Sequence, residues 1–365
     1  MTTNRRRRIL IMAGGTGGHV IPALSLARAL AARDVDVEWL GSPRGIENRL
    51  VVEAGIPLHT IAVAGLRGKG LAGWFKAPVN LSRAVGEARR VIKTFAPDVV
   101  VGLGGFASGP GGLAARLAGI PLVIHEQNAV AGLTNRVLSR LATRTYAAFD
   151  EAFGPRAEVI GNPVREEIAA LGEHPRTREE IASRRLRLLV VGGSLGAVAL
   201  NERLPTALAA LDADRCPEIW HQAGKERDET TRQNYAAAGV EATVSPFIDD
   251  MARAYDWADL VVCRSGALTV AELAAAAKPS LLVPFPYAVD DHQRINAEVL
   301  VKAEAARCVV QAELTEARLI HHLDELLNRD TLVEMASRAR RAAHLEATER
   351  LAAGCLSLVK QGDMA

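Results

Sequence analysis

Residues 264–272, which read RSGALTVAE, have the composition of a site for a phosphate and a ribose. They follow an apolar run at 257–263 that predicts a buried parallel strand, and they open an alanine-rich helix at 273–277. A helix that begins directly after a strand aims backbone N–H groups and its positive dipole end at one point, where phosphate binds. Thr269 can cap this helix or bind a phosphate oxygen, and Glu272 can accept hydrogen bonds from both ribose hydroxyls. A capped helix after an ordinary strand is the alternative.

Two glycine-rich turns follow apolar runs in the first half of the chain, GGTGGH at 14–19 and GGFASGPGG at 104–112. Glycine lets a ligand approach the backbone closely, so we expect both turns to face phosphate groups. The first turn does not match GxGxxG, which disfavours a nicotinamide-dependent oxidoreductase. His19 lies at the mouth of this turn, and an unperturbed histidine pKa suits a general base at neutral pH. A helix-capping or core histidine is the alternative.

A dense polar cluster, HEQNAVAGLTN at 125–135, comes directly after the strand predicted at 121–125. Open α/β sheets place their sites at the carboxyl ends of strands, so Glu126 in this cluster is the second candidate base. The sequence GNPVR at 161–165 reads as a turn, because Pro163 restricts the residue before it. We place the hinge between two domains near this turn.

The strand, glycine turn and helix of residues 9–32 recur at 186–211, where the turn reads GGSLGA. This repeat of architecture predicts an α/β fold with two Rossmann-like, doubly wound domains that face each other across a cleft. We also expect a charged helical segment at 165–185 and a long helical stretch, rich in alanine, arginine and glutamate, at 331–361. The predicted division is domains at 1–163 and 164–340, and a C-terminal helix at 341–365 that packs back toward the first domain.

Composition narrows the classes of function. At 365 residues with 49% hydrophobic residues, the chain is globular and longer than one core usually organises. Only 4% of residues are aromatic, which argues against a nucleic-acid-binding protein that stacks bases. Four widely spaced cysteines predict reduced thiols and neither disulfides nor a zinc site. The net charge of +2 divides into +10 over residues 1–150 and −8 over the rest, so we expect an anionic partner for the first half.

A basic, glycine-rich segment at 66–83 carries apolar side chains among lysines and arginines. This mixture is typical of an interfacial contact with anionic lipid, and a core-facing helix with a solvated face is the alternative. The sequence has no apolar stretch of about 20 residues that would span a membrane, and the run after Arg5 to Arg8 is too short for a signal peptide. The predicted contact residues are Arg67, Lys69, Trp74, Phe75, Lys76 and Leu81.

Seven motifs appear in order along the chain, and together they are far more specific than any one glycine turn. They are GGTGGH, GGFASGPGG, HEQNAVAGLTN, GNPVR, GGSLGA, RSGALTVAE and, at 290–297, DDHQRINA. On these motifs the chain resembles the MurG family of GT-B glycosyltransferases over nearly its full length. The resemblance implies a hexosyltransferase of peptidoglycan synthesis, a peripheral protein at the cytoplasmic face of the cell membrane. It would invert the sugar configuration while moving GlcNAc from UDP-GlcNAc to the 4-hydroxyl of MurNAc in lipid I, which gives lipid II.

The resemblance also implies roles for individual residues. The second domain would bind most of the donor, with Glu272 on the ribose and the backbone of Ile248 on the uracil edge. Leu195 departs from the glutamine that is frequent in the family. The predicted donor contacts are Thr16, Gly17, Gly18, Asn128, Arg165, Ser194, Ile248, Ala267, Leu268, Thr269, Val270, Ala271, Glu272 and Gln293.

The first domain would bind the acceptor, through Gly104, Gly105 and Ser108, and the membrane. His19 is the favoured base and Glu126 the second candidate. We expect no cofactor and no metal, because the Asp34–Asp36 and Asp212–Asp214 pairs lie in loops away from the glycine turns. Expected partners are UDP-GlcNAc, lipid I, an anionic membrane surface and other cell-wall synthesis proteins, with no nucleic acid. The main alternative is another GT-B nucleotide-sugar enzyme, such as a UDP-GlcNAc 2-epimerase.

Overall fold

The chain divides into two compact units in the computed structural model. The structure describes residues 5–63, 71–193, 195–288 and 291–359, with the backbone alone over 71–77. The N-terminal unit comprises Met1–Val164 and Leu345–Ala365, and the C-terminal unit comprises Arg165–His344.

A seven-stranded parallel sheet forms the centre of the N-terminal unit, with strand order β3-β2-β1-β4-β5-β6-β7. The strands are β1 (Arg7–Met12), β2 (Val35–Gly41), β3 (Leu58–Thr60), β4 (Val99–Gly102), β5 (Leu122–Glu126), β6 (Arg144–Ala147) and β7 (Glu158–Val159). The helices that connect them are α1 (Gly17–Ala31), α2 (Glu47–Glu53), α3 (Leu71–Phe95), α4 (Ser108–Leu117) and α5 (Leu133–Leu138). Short 3-10 turns follow β6 at Asp150–Ala152 and Gly154–Arg156.

The C-terminal unit repeats this arrangement with a six-stranded parallel sheet in the order β10-β9-β8-β11-β12-β13. The strands are β8 (Arg187–Val191), β9 (Glu218–Gln222), β10 (Thr243–Ser245), β11 (Leu260–Cys263), β12 (Ser280–Leu282) and β13 (Ala306–Cys308). The helices are α6 (Glu166–Ala169), α7 (Arg178–Ala182), α8 (Val198–Ala209), α9 (Asp228–Ala237), α10 (Met251–Trp257), α11 (Ala267–Ala275), α12 (His292–Lys302), α13 (Glu316–Leu326) and α14 (Arg329–Arg341). Two 3-10 turns lie at Ala170–Glu173 and Gln311–Glu313, and the last helix of the chain, α15 (Ala347–Leu356), belongs to the N-terminal unit.

Both faces of the N-terminal sheet are buried, because alternate side chains of one strand point to opposite faces. Ile9 and Ile11 of β1 face a core that α1 and α15 complete. Leu10 and Met12 face a second core formed with α3, α4 and α5. This two-sided burial explains why the central strands are continuous apolar runs without polar alternation.

The predicted fold class, two Rossmann-like α/β units of the GT-B type, is confirmed. In each unit the strand order reverses at one switch point, between β1 and β4 in the first sheet and between β8 and β11 in the second. Ligands of open parallel sheets bind at the carboxyl ends of the strands that flank such a point. Each of the four flanking strands leads into a turn that the sequence analysis identified.

Two segments predicted to be helical are helical with interruptions. The segment 165–185 is divided into α6, a 3-10 turn and α7, and Pro175, which lacks a backbone donor, lies in the break. The segment 331–361 is two helices, since α14 ends at Arg341 and α15 begins at Ala347. Strands β3 and β13, at the edges of the two sheets, were missed, because His59 or Arg307 at the centre of each interrupts the apolar pattern.

No helix in the described part of the chain is both long enough and apolar enough to span a membrane.

The docking of α15 predicts opposite effects for two Gly→Ala substitutions within helices. A Cβ on Gly354 would lie 2.1 Å from the hydroxyl oxygen of buried Tyr146, whereas a Cβ on Gly86 of α3 would have nothing within 4 Å. Alanine favours a helix by up to about 1 kcal/mol over glycine, and overpacking costs about 1–3 kcal/mol. We expect Gly86→Ala to raise the free energy of unfolding in urea and Gly354→Ala to lower it. Stabilisation by both variants would contradict this packing.

Candidate active site

The two glycine turns of the N-terminal unit contact each other beside the switch point. Gly105 has a φ of +89°, and a Cβ there would lie 2.5 Å from the carbonyl oxygen of Gly14. Ser108 is fully buried, and its hydroxyl donates to the carbonyl oxygens of Gly104 at 2.7 Å and Met12 at 3.2 Å. The Ser108 hydroxyl therefore joins the turn after β4 to the end of β1.

His19 lies in the first turn of α1, because the helix begins inside the glycine motif at Gly17. Its ring rests on the second glycine turn: a Cβ on Gly104 would lie 2.7 Å from its Cδ2 atom. Thr16, the N-cap residue, places its hydroxyl 3.5 Å from Nδ1. The imidazole is half-buried, and this burial lowers its pKa against the opposing effects of Glu126, the Gly14 backbone and Glu47. His19 is therefore neutral at pH 7 and able to accept a proton.

Glu126, the last residue of β5, organises the polar loop that follows it. Oε1 accepts the backbone N–H of Asn128 at 3.0 Å and its side-chain amide at 3.2 Å. Oε2 accepts the N–H of Gly132 at 3.2 Å and the side-chain amide of Asn135 at 2.9 Å. Each carboxylate oxygen thus already holds two donors. Glu126 also acts on His19 electrostatically, as a nearby negative charge.

A buried network holds the 125–128 loop against the 161–163 turn. Nε2 of His125 donates to the carbonyl oxygen of Gly161 at 2.9 Å, and the Gln127 amide donates to its Nδ1 at 3.1 Å. Asn162 in turn donates to the carbonyl oxygen of Gln127 at 3.0 Å. Complete burial lowers the pKa of His125 to about 4, so this imidazole stays neutral.

In the C-terminal unit, Gln222 at the end of β9 holds the turn at 192–197. Its Oε1 accepts the N–H of Gly193 at 3.0 Å, and its amide donates to the carbonyl oxygens of Gly193 at 3.0 Å and Pro246 at 2.9 Å. Ser194, a predicted donor contact, lies outside the described residues. The side chain of Leu195 is 80% exposed, so the departure from glutamine changes a surface group and not the packing of the turn.

Helix α11 follows β11 as predicted and begins at Ala267, with Gly266 as its N-cap and no side-chain cap. The positive end of the helix dipole therefore lies beside the switch point. Leu268 and Val270 are buried, so a ligand at this helix start would meet them through the backbone. Thr269, on the same turn, is only half-buried.

Glu272 and Arg165, both predicted donor contacts, form a largely buried ion pair. Oε1 of Glu272 accepts Nε of Arg165 at 3.1 Å and a terminal guanidinium nitrogen at 2.7 Å, and the Tyr255 hydroxyl lies 3.4 Å from Oε2. Burial raises the pKa of Glu272 against the opposing effect of the guanidinium. A carboxylate held from one side in this way keeps lone pairs for further donors.

Two further predicted donor contacts lie at the carboxyl-end edge of the same sheet. Ile248, whose side chain is buried, follows β10. Gln293, in the first turn of α12, accepts the N–H of Phe285 at 2.9 Å, which links α12 to the loop after β12. Asn128, Thr16, Gly17 and Gly18 lie in the N-terminal unit instead.

Known proteins share this arrangement. The glycosyltransferase family 28 N-terminal domain matches residues 9–147, and the glycosyltransferase family 28 C-terminal domain matches residues 187–351. The chain belongs to glycosyltransferase family 28. The first matched segment contains strands β1 to β6 and the second contains β8 to β13, each with the pair of turns at its switch point.

Individual relatives within this family are similar over almost the whole chain. The UDP-N-acetylglucosamine--N-acetylmuramyl-(pentapeptide) pyrophosphoryl-undecaprenol N-acetylglucosamine transferase of Chromohalobacter salexigens is 66% identical over 350 residues, 96% of each chain. The crystal structure of Acinetobacter baumannii MurG has a TM-score of 0.81 at 43% identity, and covers 96% of this chain and 99% of its own. The spinosyn forosaminyltransferase SpnP has a TM-score of 0.68 at 15% identity over 96% of this chain and all of its own, and shares the fold alone. The resemblance to the MurG family is confirmed.

The possible metal ligands on α13 and in the two aspartate pairs lie away from the glycine turns. Among described residues, one set of His, Cys, Asp or Glu side chains brings its ligand atoms within 4.8 Å, namely His321, His322 and Glu325 on α13. Arg307 donates to the Glu325 carboxylate at 2.7 Å, which opposes a cation there. Asp36 lies near the amino end of β2, and Asp212 and Asp214 lie in the loop after α8.

The structure also identifies a residue that the sequence analysis missed. Glu47, the first residue of α2, is completely buried and accepts the N–H of Gly15 in the first glycine turn at 2.9 Å. Nothing in the local sequence indicates this contact, because Glu47 reads as an acidic residue at the start of an ordinary helix.

Burial of His125 predicts a loss of stability in mild acid. Its native pKa of about 4 lies below the ordinary value of 6.5, so below pH 6.5 the unfolded chain binds the proton more readily. The resulting loss of unfolding free energy is absent above pH 6.5 and grows as the pH falls toward 4. At pH 5 it reaches about 2 kcal/mol. Comparing urea unfolding at pH 8 and pH 5, we expect His125→Asn to lose that part of the pH dependence. The control His174→Asn, at an exposed position, should keep the wild-type dependence; equal dependence in all three proteins would contradict the assignment.

Proposed function

We propose that the chain transfers GlcNAc from UDP-GlcNAc to the 4-hydroxyl of MurNAc in undecaprenyl-pyrophosphoryl-MurNAc-pentapeptide, lipid I, and so makes lipid II. The observation that carries this proposal is the 66% identity, over 96% of both chains, to a transferase whose name states this donor and acceptor. The chain is then a hexosyltransferase of peptidoglycan synthesis. The 2-epimerase alternative is not favoured, because these full-length relatives are named as transferases.

The C-terminal unit supplies the groups that suit the nucleotide. The start of α11 and the turn at 192–197 offer backbone N–H groups and a dipole to the diphosphate, while Thr269 offers a hydroxyl. Glu272 would accept the ribose hydroxyls, and Ile248 would meet the uracil edge through its backbone. A guanidinium has five N–H groups, so Arg165 can hold both Glu272 and a phosphate oxygen. These groups would stabilise the negative charge that develops on departing UDP.

The N-terminal unit supplies the group that suits the acceptor. Neutral His19 would take the proton of the MurNAc 4-hydroxyl as that oxygen attacks the anomeric carbon of GlcNAc from the face opposite UDP. The new C–O bond forms as the bond to the UDP oxygen breaks, so the configuration inverts. The imidazolium that results would be stabilised by the carboxylates of Glu126 and Glu47, both of which act on His19 electrostatically.

A membrane-facing surface on the same unit would bring the enzyme to its lipid acceptor. Helices α3, α4 and α5 pack on one face of the sheet, and each carries a largely exposed aliphatic side chain. Exposed arginines lie on the same helices. We define the apolar patch by Val79, Leu81, Leu117, Leu133 and Val137, with Arg83, Arg89, Arg90 and Arg116 on α3 and α4 and Arg140 just after α5. Aliphatic groups among cations suit an anionic bilayer surface at the cytoplasmic face.

Of the membrane contacts predicted from the sequence, Leu81 is 48% exposed on α3. Arg67 and Lys69 lie outside the described residues, as do the side chains of Trp74, Phe75 and Lys76. These five remain predictions. Other proteins of cell-wall synthesis as partners also remain a prediction.

Incubation with radiolabelled UDP-GlcNAc and a lipid I analogue tests the proposed reaction. We expect labelled lipid II from the wild type, and a kcat lowered by about 10²–10⁴-fold in His19→Ala, because general base catalysis is lost. UDP binding, measured by calorimetry, should be unchanged in that variant. His174→Ala, at an exposed position, is the control and should retain full turnover. Near-native turnover by a folded His19→Ala protein would exclude His19 as the base.

Sedimentation with vesicles tests the membrane surface. We expect binding to vesicles that contain anionic phospholipid. Binding should be several-fold weaker for Val79→Ser, Leu81→Ser and Trp74→Ser, since each removes apolar area that the bilayer would bury. The matched control is Val52→Ser, because Val52 is 60% exposed on α2, away from the apolar patch. Binding that depends neither on the anionic lipid nor on these substitutions would contradict the proposal.

A further inference from the structure

Glu47 is a buried carboxylate that accepts hydrogen bonds from backbone N–H groups. It is completely buried, Oε2 accepts the N–H of Gly15 at 2.9 Å, and Oε1 accepts the Ser42 N–H at 3.1 Å and its hydroxyl at 2.7 Å. Within the described part of the chain, none of the ion pairs includes Glu47. A buried carboxylate without a cation is costly, so its hydrogen bonds to the chain must compensate.

Three glycines leave the space that this side chain occupies. A Cβ would lie 2.0 Å from Oε2 if placed on Gly45, 2.5 Å from Oε1 if placed on Gly14, and 3.0 Å from the Glu47 Cγ if placed on Gly41. No other residue type fits at Gly14 or Gly45 without moving the carboxylate. The backbone around Glu47 is thus shaped to this one side chain.

The bond to Gly15 determines how the first glycine turn continues into α1. Gly15 has a φ of +89° and is followed by Thr16, the N-cap of α1, and then by His19 in the first helical turn. A fixed N–H at Gly15 therefore limits the direction in which α1 starts. It also limits where the His19 ring lies on Gly104.

Glu47 acts on His19 electrostatically as well. Burial by itself raises the pKa of Glu47, but the hydrogen bonds from Gly15 and Ser42 outweigh it and leave the pKa lowered, so the group is ionised at neutral pH. The charged groups that act on His19 are Glu126 from the end of β5 and Glu47 from α2. Both favour the imidazolium, whereas burial and the α1 dipole oppose it.

We propose that Glu47 is a positioning residue, which holds the turn at 14–19 and with it His19 in the geometry that removes the acceptor proton. This inference rests on the proposed function, in which His19 is the base. Glu47 itself touches neither substrate. Its effect is expected mainly on the chemical step, because most of the groups that suit the nucleotide lie in the C-terminal unit.

Glu47→Gln is the sharpest test, because it keeps the shape while it replaces one acceptor oxygen by a donor and removes the charge. We expect kcat with the lipid I analogue to fall at least about tenfold, with KM for UDP-GlcNAc within about twofold. The acidic limb of the kcat profile should move to lower pH, since loss of a nearby anion disfavours the imidazolium. Glu53→Gln, at an exposed position on the same helix, is the matched control and should change none of these.

Two further measurements separate positioning from general stability. In a His19→Ala background, Glu47→Gln should cost little additional turnover, whereas a purely structural role would cost the same with or without His19. NMR titration of labelled His19 should show a lower pKa in Glu47→Gln than in the wild type. This titration requires no turnover, so it tests Glu47 even if the wild type fails to transfer GlcNAc to lipid I.

Ser42→Ala covers the case in which Glu47→Gln does not fold. It removes the 2.7 Å hydroxyl bond to Oε1, together with a longer 3.4 Å contact to the carbonyl oxygen of Arg44, and leaves the carboxylate. A smaller fall in kcat at unchanged KM for the donor is therefore expected. Folded Glu47→Gln protein with wild-type kcat and wild-type His19 titration would overturn the proposal. An equal loss of turnover from Glu47→Gln in the presence and absence of His19 would also overturn it. If Glu47→Gln does not fold, wild-type kcat in Ser42→Ala would overturn it instead.

Discussion

The contact of Gly105 with Gly14 is the constraint on which the N-terminal site depends. Two neighbouring parallel strands, β1 and β4, end side by side, and their turns meet with no room for a Cβ at Gly105. This contact lets the His19 ring rest on Gly104 and brings the start of α1 to the switch point. A larger residue would separate the turns and move the imidazole with them.

The two units hold their first glycine turn in the same way but with different side chains. In each unit a buried side chain from a neighbouring segment accepts an N–H from the first glycine turn: Glu47 for Gly15, and Gln222 for Gly193. The difference in charge follows the chemistry proposed for each unit. An anion near His19 stabilises the imidazolium, whereas an anion beside the turn at 192–197 would repel a diphosphate. A neutral amide holds that second turn without this repulsion, and it also binds the loop at Pro246.

Much of the fold was predictable because central parallel strands are buried on both faces. Such strands read as apolar runs, and the strands predicted within 257–263 and at 121–125 are β11 and β5 in the structure. Prediction failed where the signal was short or ambiguous. In β3 and β13 a histidine or an arginine stands at the centre of a three-residue strand and hides the apolar pattern. The helical stretch at 331–361 shows no local signal for the break between α14 and α15, because the residues between them have high helix propensity. The break follows from packing, since α14 belongs to the C-terminal unit and α15 to the N-terminal unit.

The sequence by itself determined the class of fold, the motifs at the ends of four strands and the resemblance to a glycosyltransferase family. Glycine, apolar runs and helix starts are local features, so local patterns reveal them. Only the tertiary structure decided that Glu126 is occupied by four donors, that Arg165 and Glu272 form a pair, and that Glu47 supports the turn of His19. The Arg165–Glu272 and Glu47–Gly15 contacts join residues far apart in the chain, and the order of strands in the sheets brings them together. The Glu126 bonds are shorter in range and depend on how the loop after β5 folds back on this carboxylate.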